Sequence, residues 1–208
     1  VYEIVPAYGG RPFRVADHLR RLARSLHAIR LEDPLSSAEW QAVLTRLTED
    51  AAGDDRSIYL QVTRGVASRS HSFPPPDTSL TTYGFARRFQ RHEDEIANGA
   101  NAITHDDDRW AHCDIKTIAL LPNTLAHQRA RDTGAVEALF IRDGELQEGT
   151  HSNVMIGANG QGKTNVLEGL NYPALGRSFR GARAHDAHFC ADHGSGWKCA
   201  GVDDHAPI

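Results

Sequence analysis

The sequence predicts an α+β protein of two domains joined near residue 91, and four observations carry that expectation. Ser57 to Arg64 alternates apolar and polar side chains, the pattern of a half-buried strand. Leu19, Leu22, Ala23, Leu26 and Ile29 recur at three and four within Ala16 to Leu31, the period of an amphipathic helix. Val136 to Arg142 and Glu145 to Glu148 read as strands on either side of the turn Asp143-Gly144. Arg87 to Glu95 mixes both signs of charge and reads as the link between a small first domain, residues 1–91, and a larger second one, residues 92–156.

The remaining elements follow in order. Val1 to Val5 and Pro12 to Val15 are β-like runs about the turn Tyr8-Gly9-Gly10, a hairpin. Ser36-Ser37-Ala38-Glu39 offers a capping box to a second helix striped by Trp40, Val43, Leu44 and Leu47 and ending near Gly53. Leu80 to Arg87 and Ala100 to Thr104 read as strands. Asp106-Asp107-Asp108 lacks the spacing and glycine of a calcium loop and reads as a turn. Pro122 and Gly134 bracket a short helix over Asn123 to Thr133. Ser152 to Ile156 is expected to add the third strand to the sheet of the second domain.

At 208 residues and 40% apolar the chain can bury a real core. A net charge of −4 argues against non-specific nucleic-acid binding. The cysteines Cys113, Cys190 and Cys199 are too scattered for a disulfide framework, which fits a reducing cytoplasm. No apolar run approaches the ~20 residues of a membrane span. Val1 opens inside a strand pattern without a methionine, which is expected to be a fragment boundary.

Lys116 is one of three lysines in a chain that otherwise uses arginine, and it stands between Asp114 and an apolar run. An amine flanked by Ile115, Ile118, Leu120 and Leu121 should be partly desolvated, which favours its neutral form and makes it a nucleophile or base. Arg69-Ser70-His71, on a loop, is a pair able to hold a carboxylate, the guanidinium by a forked bond and the imidazole by a single donor.

Cys113-Asp114-Ile115-Lys116-Thr117 with Leu120-Leu121-Pro122-Asn123 resembles the cofactor-lysine segment of class IV (fold-type IV) pyridoxal-phosphate aminotransferases. The resemblance extends to Tyr2-Glu3, Tyr8-Gly9-Gly10, His18-Leu19-Arg20-Arg21-Leu22, Tyr59 to Pro74 and Glu148-Gly149-Thr150-His151-Ser152-Asn153, and so covers Val1 to Ile156. It implies a two-domain class IV fold truncated at both ends, pyridoxal phosphate as cofactor, and a homodimer. It further implies that Lys116 binds the cofactor covalently, Arg21 binds its phosphate and Glu148 faces its pyridine nitrogen, with Tyr2, Arg69 and His71 holding the substrate. Arg69-Ser70-His71 favours the branch that exchanges the amino group between D-amino acids and 2-oxo acids over branched-chain aminotransferases and aminodeoxychorismate lyases. No membrane or nucleic-acid partner and no metal is implied.

After Ile156 the chain reads Gly157-Ala158-Asn159-Gly160-Gln161-Gly162-Lys163-Thr164, a G-x-x-x-x-G-K-T phosphate-binding loop. Together with Asn165 to Leu170 and Leu175 to Arg180 it resembles the nucleotide-binding segment of RecF-type DNA-repair ATPases. Residues 157–208 are therefore expected to be an unrelated segment joined to the aminotransferase part. His185, His188, Cys190, His193 and Cys199 match no zinc-ligand spacing, and a solvated, partly disordered tail is expected from Ala184.

Overall fold

The structure, a computed structural model, describes residues 1–49, 54–89, 95 and 98–154, together with the backbone of 189–190 and 199–200. The phosphate-binding loop at 157–164, the RecF-like continuation and most of the tail lie outside the described residues. The chain divides into two compact units, Val1–Gln90 with His112–Ala119, and Arg91–Ala111 with Leu120–Ile208.

The first unit is a four-stranded antiparallel sheet of order β2-β1-β3-β4, formed by β1 (Tyr2–Tyr8), β2 (Arg11–Pro12), β3 (Arg56–Thr63) and β4 (Thr81–Arg88). Two helices, α1 (Val15–Ala28) and α2 (Ser37–Arg46), share its hydrophobic core. The alternation in β3 puts Ile58, Leu60 and Val62 inward with no exposure, and Val5 and Ala7 of β1 join them. The helical stripe supplies Leu19, Leu22 and Leu26, and α2 adds Trp40 and Leu44. Ser36 and Glu39 close the expected capping box, and Trp40 donates its indole N–H to Asp33 at 2.8 Å. That helix stops at Arg46, short of Gly53: Thr48 turns its hydroxyl back onto the carbonyls of Leu44 and Thr45.

The second unit holds a three-stranded sheet of order β5-β6-β7, with β5 (Ala102–Asp106) parallel to β6 (Glu137–Arg142) and β6 antiparallel to β7 (Glu145–Gly149). Asp143 and Gly144 have φ of 53° and 75°, the paired positive values of a tight hairpin whose twist matches its strands. Helix α3 (Leu121–Asp132) carries Pro122 in its first turn and is followed by Gly134 at φ 79°. Ala126 and Ala130 of α3 pack with Ile103, Ala138 and Phe140 on one face of β6, while Ala102, Leu139 and Leu146 form a cluster on the other.

Of the strand expected over Ser152 to Ile156, residues 155 and 156 lie outside the described residues and the rest differs. Residues 152–154 are not strand, because Ser152 gives its backbone N–H to the Glu137 side chain instead of a neighbouring strand, and β5 takes the remaining edge of β6. Far along the chain, the backbone of β8 (Phe189–Cys190) pairs antiparallel with β9 (Cys199–Ala200).

Candidate active site

Lys116 lies in a loop, and unit 1 holds it by its backbone. Its carbonyl accepts from the Tyr2 N–H at 3.0 Å, and its own N–H donates to Ser25 Oγ at 3.2 Å. The amine Nζ sits 4.6 Å from the centroid of the Tyr2 ring. Burial pushes the Lys116 amine below the ordinary lysine value, repulsion from Arg21 lowers it further, and the Glu3 carboxylate works the other way. The source of the desolvation differs from the sequence expectation. Of the flanking apolar residues, Ile118 and Leu121 are 60% and 69% exposed, and Ile115 alone packs against the core. The Tyr2 ring lies against the amine as well.

Tyr2 is itself fixed by stacking, 5.6 Å from Tyr59, which stacks on Phe85 at 5.3 Å across the β3–β4 register. Strand alternation then turns the next residue, Glu3, to the opposite face, where it is wholly buried. There Arg21 of α1 clamps it with a two-pronged bond, Nε to Oε1 at 2.6 Å and Nη2 to Oε2 at 2.7 Å, and His18 reaches Oε2 at 3.0 Å. Burial would raise the Glu3 carboxyl, but the hydrogen bonds from Arg21 and His18 outweigh it and hold it low. Burial likewise pulls the guanidinium down and Glu3 more than restores it, so both partners stay charged. Arg21 Nη1 makes no hydrogen bond among the described residues.

Arg69 and His71 stand exposed on the loop between β3 and β4, with no hydrogen bond or ring contact to the Tyr2–Lys116–Arg21 group among the described residues. The loop itself is anchored at its stem. Gly65 has φ +90°, and a Cβ there would meet the Ser79 carbonyl oxygen at 1.9 Å, while the Arg64 guanidinium lies 3.7 Å over the Phe73 ring and bonds the carbonyls of Ile29 and Arg30.

In the second unit, Glu148 is half exposed on β7. A register shift between Phe140 and Ile141 places it opposite Phe140. With the register of the hairpin turn continued, Glu148 would pair with Leu139 and point to the other face, so the bulge is what aims it. The guanidinium of Arg109 lies 4.2 Å above the Phe140 ring and donates to Glu148. Beneath the loop that follows, the buried Glu137 accepts from the backbone N–H groups of Ala138, Thr150 and Ser152, from the Thr150 and Ser152 hydroxyls and from His151 Nδ1 at 3.0 Å. Burial opposes its ionisation, but the bonds from His151, Ser152 and Thr150 bring the carboxyl down to about 2. His127, Glu137 and His151 form a group with metal-ligand reach. The Glu137 oxygens are already taken up by these donors, so the group works as a hydrogen-bond hub for the Glu148 loop.

Sequence reasoning missed Glu3, His18, Arg109, Asp107 and Glu137. An acidic residue at an inward position of a strand, as in Val1-Tyr2-Glu3-Ile4-Val5, was the signal available for the first; the others depend on partners far along the chain.

The family model described as amino-transferase class IV matches residues 1–168, twelve residues past the junction expected at Ile156. The D-alanine aminotransferase of Bacillus licheniformis is 41% identical over 157 residues, and that of Staphylococcus haemolyticus 40% over 154; the matches cover 75% and 74% of this chain and 55% of each relative. The chain thus spans about half the length of the curated relatives it matches. Among solved structures, the fold IV-transaminase CpuTA1 from Curtobacterium pusillum superposes with a TM-score of 0.76 at 20% identity, covering 100% of this chain and 81% of its own. The PLP-bound form of a hypothetical aminotransferase from Mycobacterium tuberculosis gives 0.73 at 21%, covering 98% and 81%. The branched-chain amino acid aminotransferase of Escherichia coli gives 0.72 at 19%, covering 98% and 77%. On the strength of the family match and the close relatives, the chain belongs to the class IV aminotransferases.

Proposed function

We propose that the chain serves pyridoxal-phosphate-dependent transamination between a D-amino acid and a 2-oxo acid. The observation that carries the reading is the desolvated amine of Lys116, held over Tyr2 in a chain 41% identical to a D-alanine aminotransferase. The donor set fits the cofactor: an amine whose pKa is lowered for the aldehyde, a guanidinium with one nitrogen unbonded among the described residues for the phosphate, and a carboxylate for the ring nitrogen. Bound pyridoxal phosphate supplies the aldehyde that captures amines and a ring that stores the electron pair left when Cα loses its proton.

Each role then falls to a group of this chain. Lys116 would hold the cofactor through Nζ and, as the base, take up and return the substrate's Cα proton; burial, which lowers its pKa, favours the neutral amine that this needs. Arg21 binds the phosphate, with Glu3 and His18 fixing its guanidinium. Glu148 faces the pyridine nitrogen. Tyr2, Arg69 and His71 hold the substrate carboxylate, and the exposure of the last two suits a homodimer in which they reach the site of the partner. Among the described residues no helix is long and apolar enough to cross a membrane.

The purified chain titrated with pyridoxal phosphate should develop a visible absorbance band that Lys116→Ala abolishes and that D-alanine discharges. A parent chain without any Lys116-dependent band would refute the reading. The loop at 157–164 supports a second proposal by its motif alone, nucleotide binding of the RecF type in residues 157–182. The family match reaching residue 168 overlaps it. Nucleotide binding lost on Lys163→Ala is its test.

A further inference from the structure

Arg109 has no part in the reading above, yet its side chain is only 5% exposed and all three of its guanidinium nitrogens are bonded. Nε and Nη2 bond Asp107 Oδ1 and Oδ2 at 2.7 and 3.0 Å, Nη1 bonds Glu148 Oε1, and the flat face rests on Phe140. Asp107 is 1% exposed and is fixed in turn: it takes a third guanidinium nitrogen, Arg142 Nη2, at 2.7 Å, and its backbone N–H bonds the Ile141 carbonyl at 2.8 Å. The result is a rigid row of carboxylate, guanidinium and carboxylate. Its Asp107 end is buried, and its half-exposed end is Glu148. Glu148 is a long, flexible side chain at the surface of a strand, and Arg109 is its one hydrogen-bonding side-chain partner among the described residues.

We propose that Arg109 is a positioning residue that locks Glu148 as an anion in the orientation from which it accepts a hydrogen bond from a protonated ring nitrogen. The inference rests on the reading that Glu148 faces the pyridine nitrogen of pyridoxal phosphate. A carboxylate and a pyridine compete for one proton. A guanidinium bonded to the carboxylate stabilises the anionic oxygen, so the shared proton stays on the nitrogen and the ring keeps its positive charge. Without the guanidinium, Glu148 gains rotamer freedom and proton affinity together, and the ring is held less tightly and is charged less of the time.

The test is a double-mutant cycle on the cofactor-loaded chain, with Arg109→Gln, Glu148→Gln and the pair. The readouts are the dissociation constant of pyridoxal phosphate, the pH midpoint of its visible band and the rate at which D-alanine discharges it. Arg109→Gln should weaken cofactor binding about tenfold or more, shift the pH midpoint, and slow the discharge; Arg109→Lys should restore these in part. In the Glu148→Gln background the same replacement should add almost nothing. Equal effects of Arg109→Gln in both backgrounds, or an unmoved pH midpoint, would overturn the inference while leaving the cofactor reading intact. A parent chain lacking the Lys116-dependent band would overturn both. Should Arg109→Gln fail to fold by circular dichroism, Arg109→Met goes through the same cycle and decides by the same criteria.

Discussion

Among the described residues each unit buries one carboxylate completely at an inward position of a strand, Glu3 on β1 and Glu137 on β6, and the two are satisfied in different ways. Glu3 is met by side chains, the fork of Arg21 and the ring of His18. Glu137 is met largely by the backbone and hydroxyls of a single short stretch, residues 150–152. An anion paired with a guanidinium leaves a cation beside it, fixed in direction and with one edge open. An anion surrounded by backbone N–H groups uses them up and leaves a shaped loop. The first arrangement supplies a charge to a site; the second supplies a frame.

The comparison predicts unequal losses. Glu137→Ala strands several buried donors at once and should cost about 4 kcal/mol or more of stability, read as a fall in the urea midpoint. Glu3→Gln should cost less, about 2 kcal/mol, because Arg21 is a quarter exposed and can turn to water. It should act more on chemistry, since the Glu3 anion raises the Lys116 pKa: the pH at which Lys116 is acylated should fall further below the usual lysine range. A loss of stability at Glu3 as large as at Glu137 would erase the distinction.

Acid should separate the two as well. The Glu137 carboxyl is depressed to about 2 from an ordinary 4.5, so its contribution, roughly 3 kcal/mol, is complete above about pH 4.5 and disappears as pH falls towards 2. Far-ultraviolet melts between pH 5 and 2 should show the slope, and Glu137→Gln should flatten it. The smallest effect belongs to His151, whose ring pKa is raised by its hydrogen bond to Glu137. Its raised value makes the contribution present below the ordinary imidazole range and lost as pH rises through the folded value. His151→Ala should therefore destabilise more at pH 5 than at pH 8, by less than about 1 kcal/mol for so exposed a side chain.

What could be read from the sequence was local. The capping box at Ser36 and Glu39, the stripe of α1, the alternation of β3 and the Asp143-Gly144 turn are all set by residues within a few positions of one another. The misses are long-range. The parallel pairing of β5 with β6 joins residues some 35 apart, as Ala102 with Glu137, and a run such as Ser152 to Ile156 competes for that edge on pattern alone. Arg109 and Glu148 are 39 residues apart, and the bulge that brings them to one face follows from no residue type at Gln147. Asp106-Asp107-Asp108 was legible as a turn, but which of its carboxylates would be buried under two arginines was not. Desolvation of Lys116 was expected from its flanking apolar residues, of which Ile118 and Leu121 are exposed and Ile115 packs against the core; the contact with Tyr2, 114 residues away, was not legible.

The peptide groups on both sides of the Lys116 side chain are tied down, one to Tyr2 and one to Ser25. The main chain there is a fixed post, so any travel of Nζ must come from rotation about the four carbons of its own stem. Such rotamer changes take nanoseconds or less when a side chain is free to move, far faster than the opening of a loop. An amine mounted this way can let go of a partner, swing aside and come back without the surrounding fold having to rearrange.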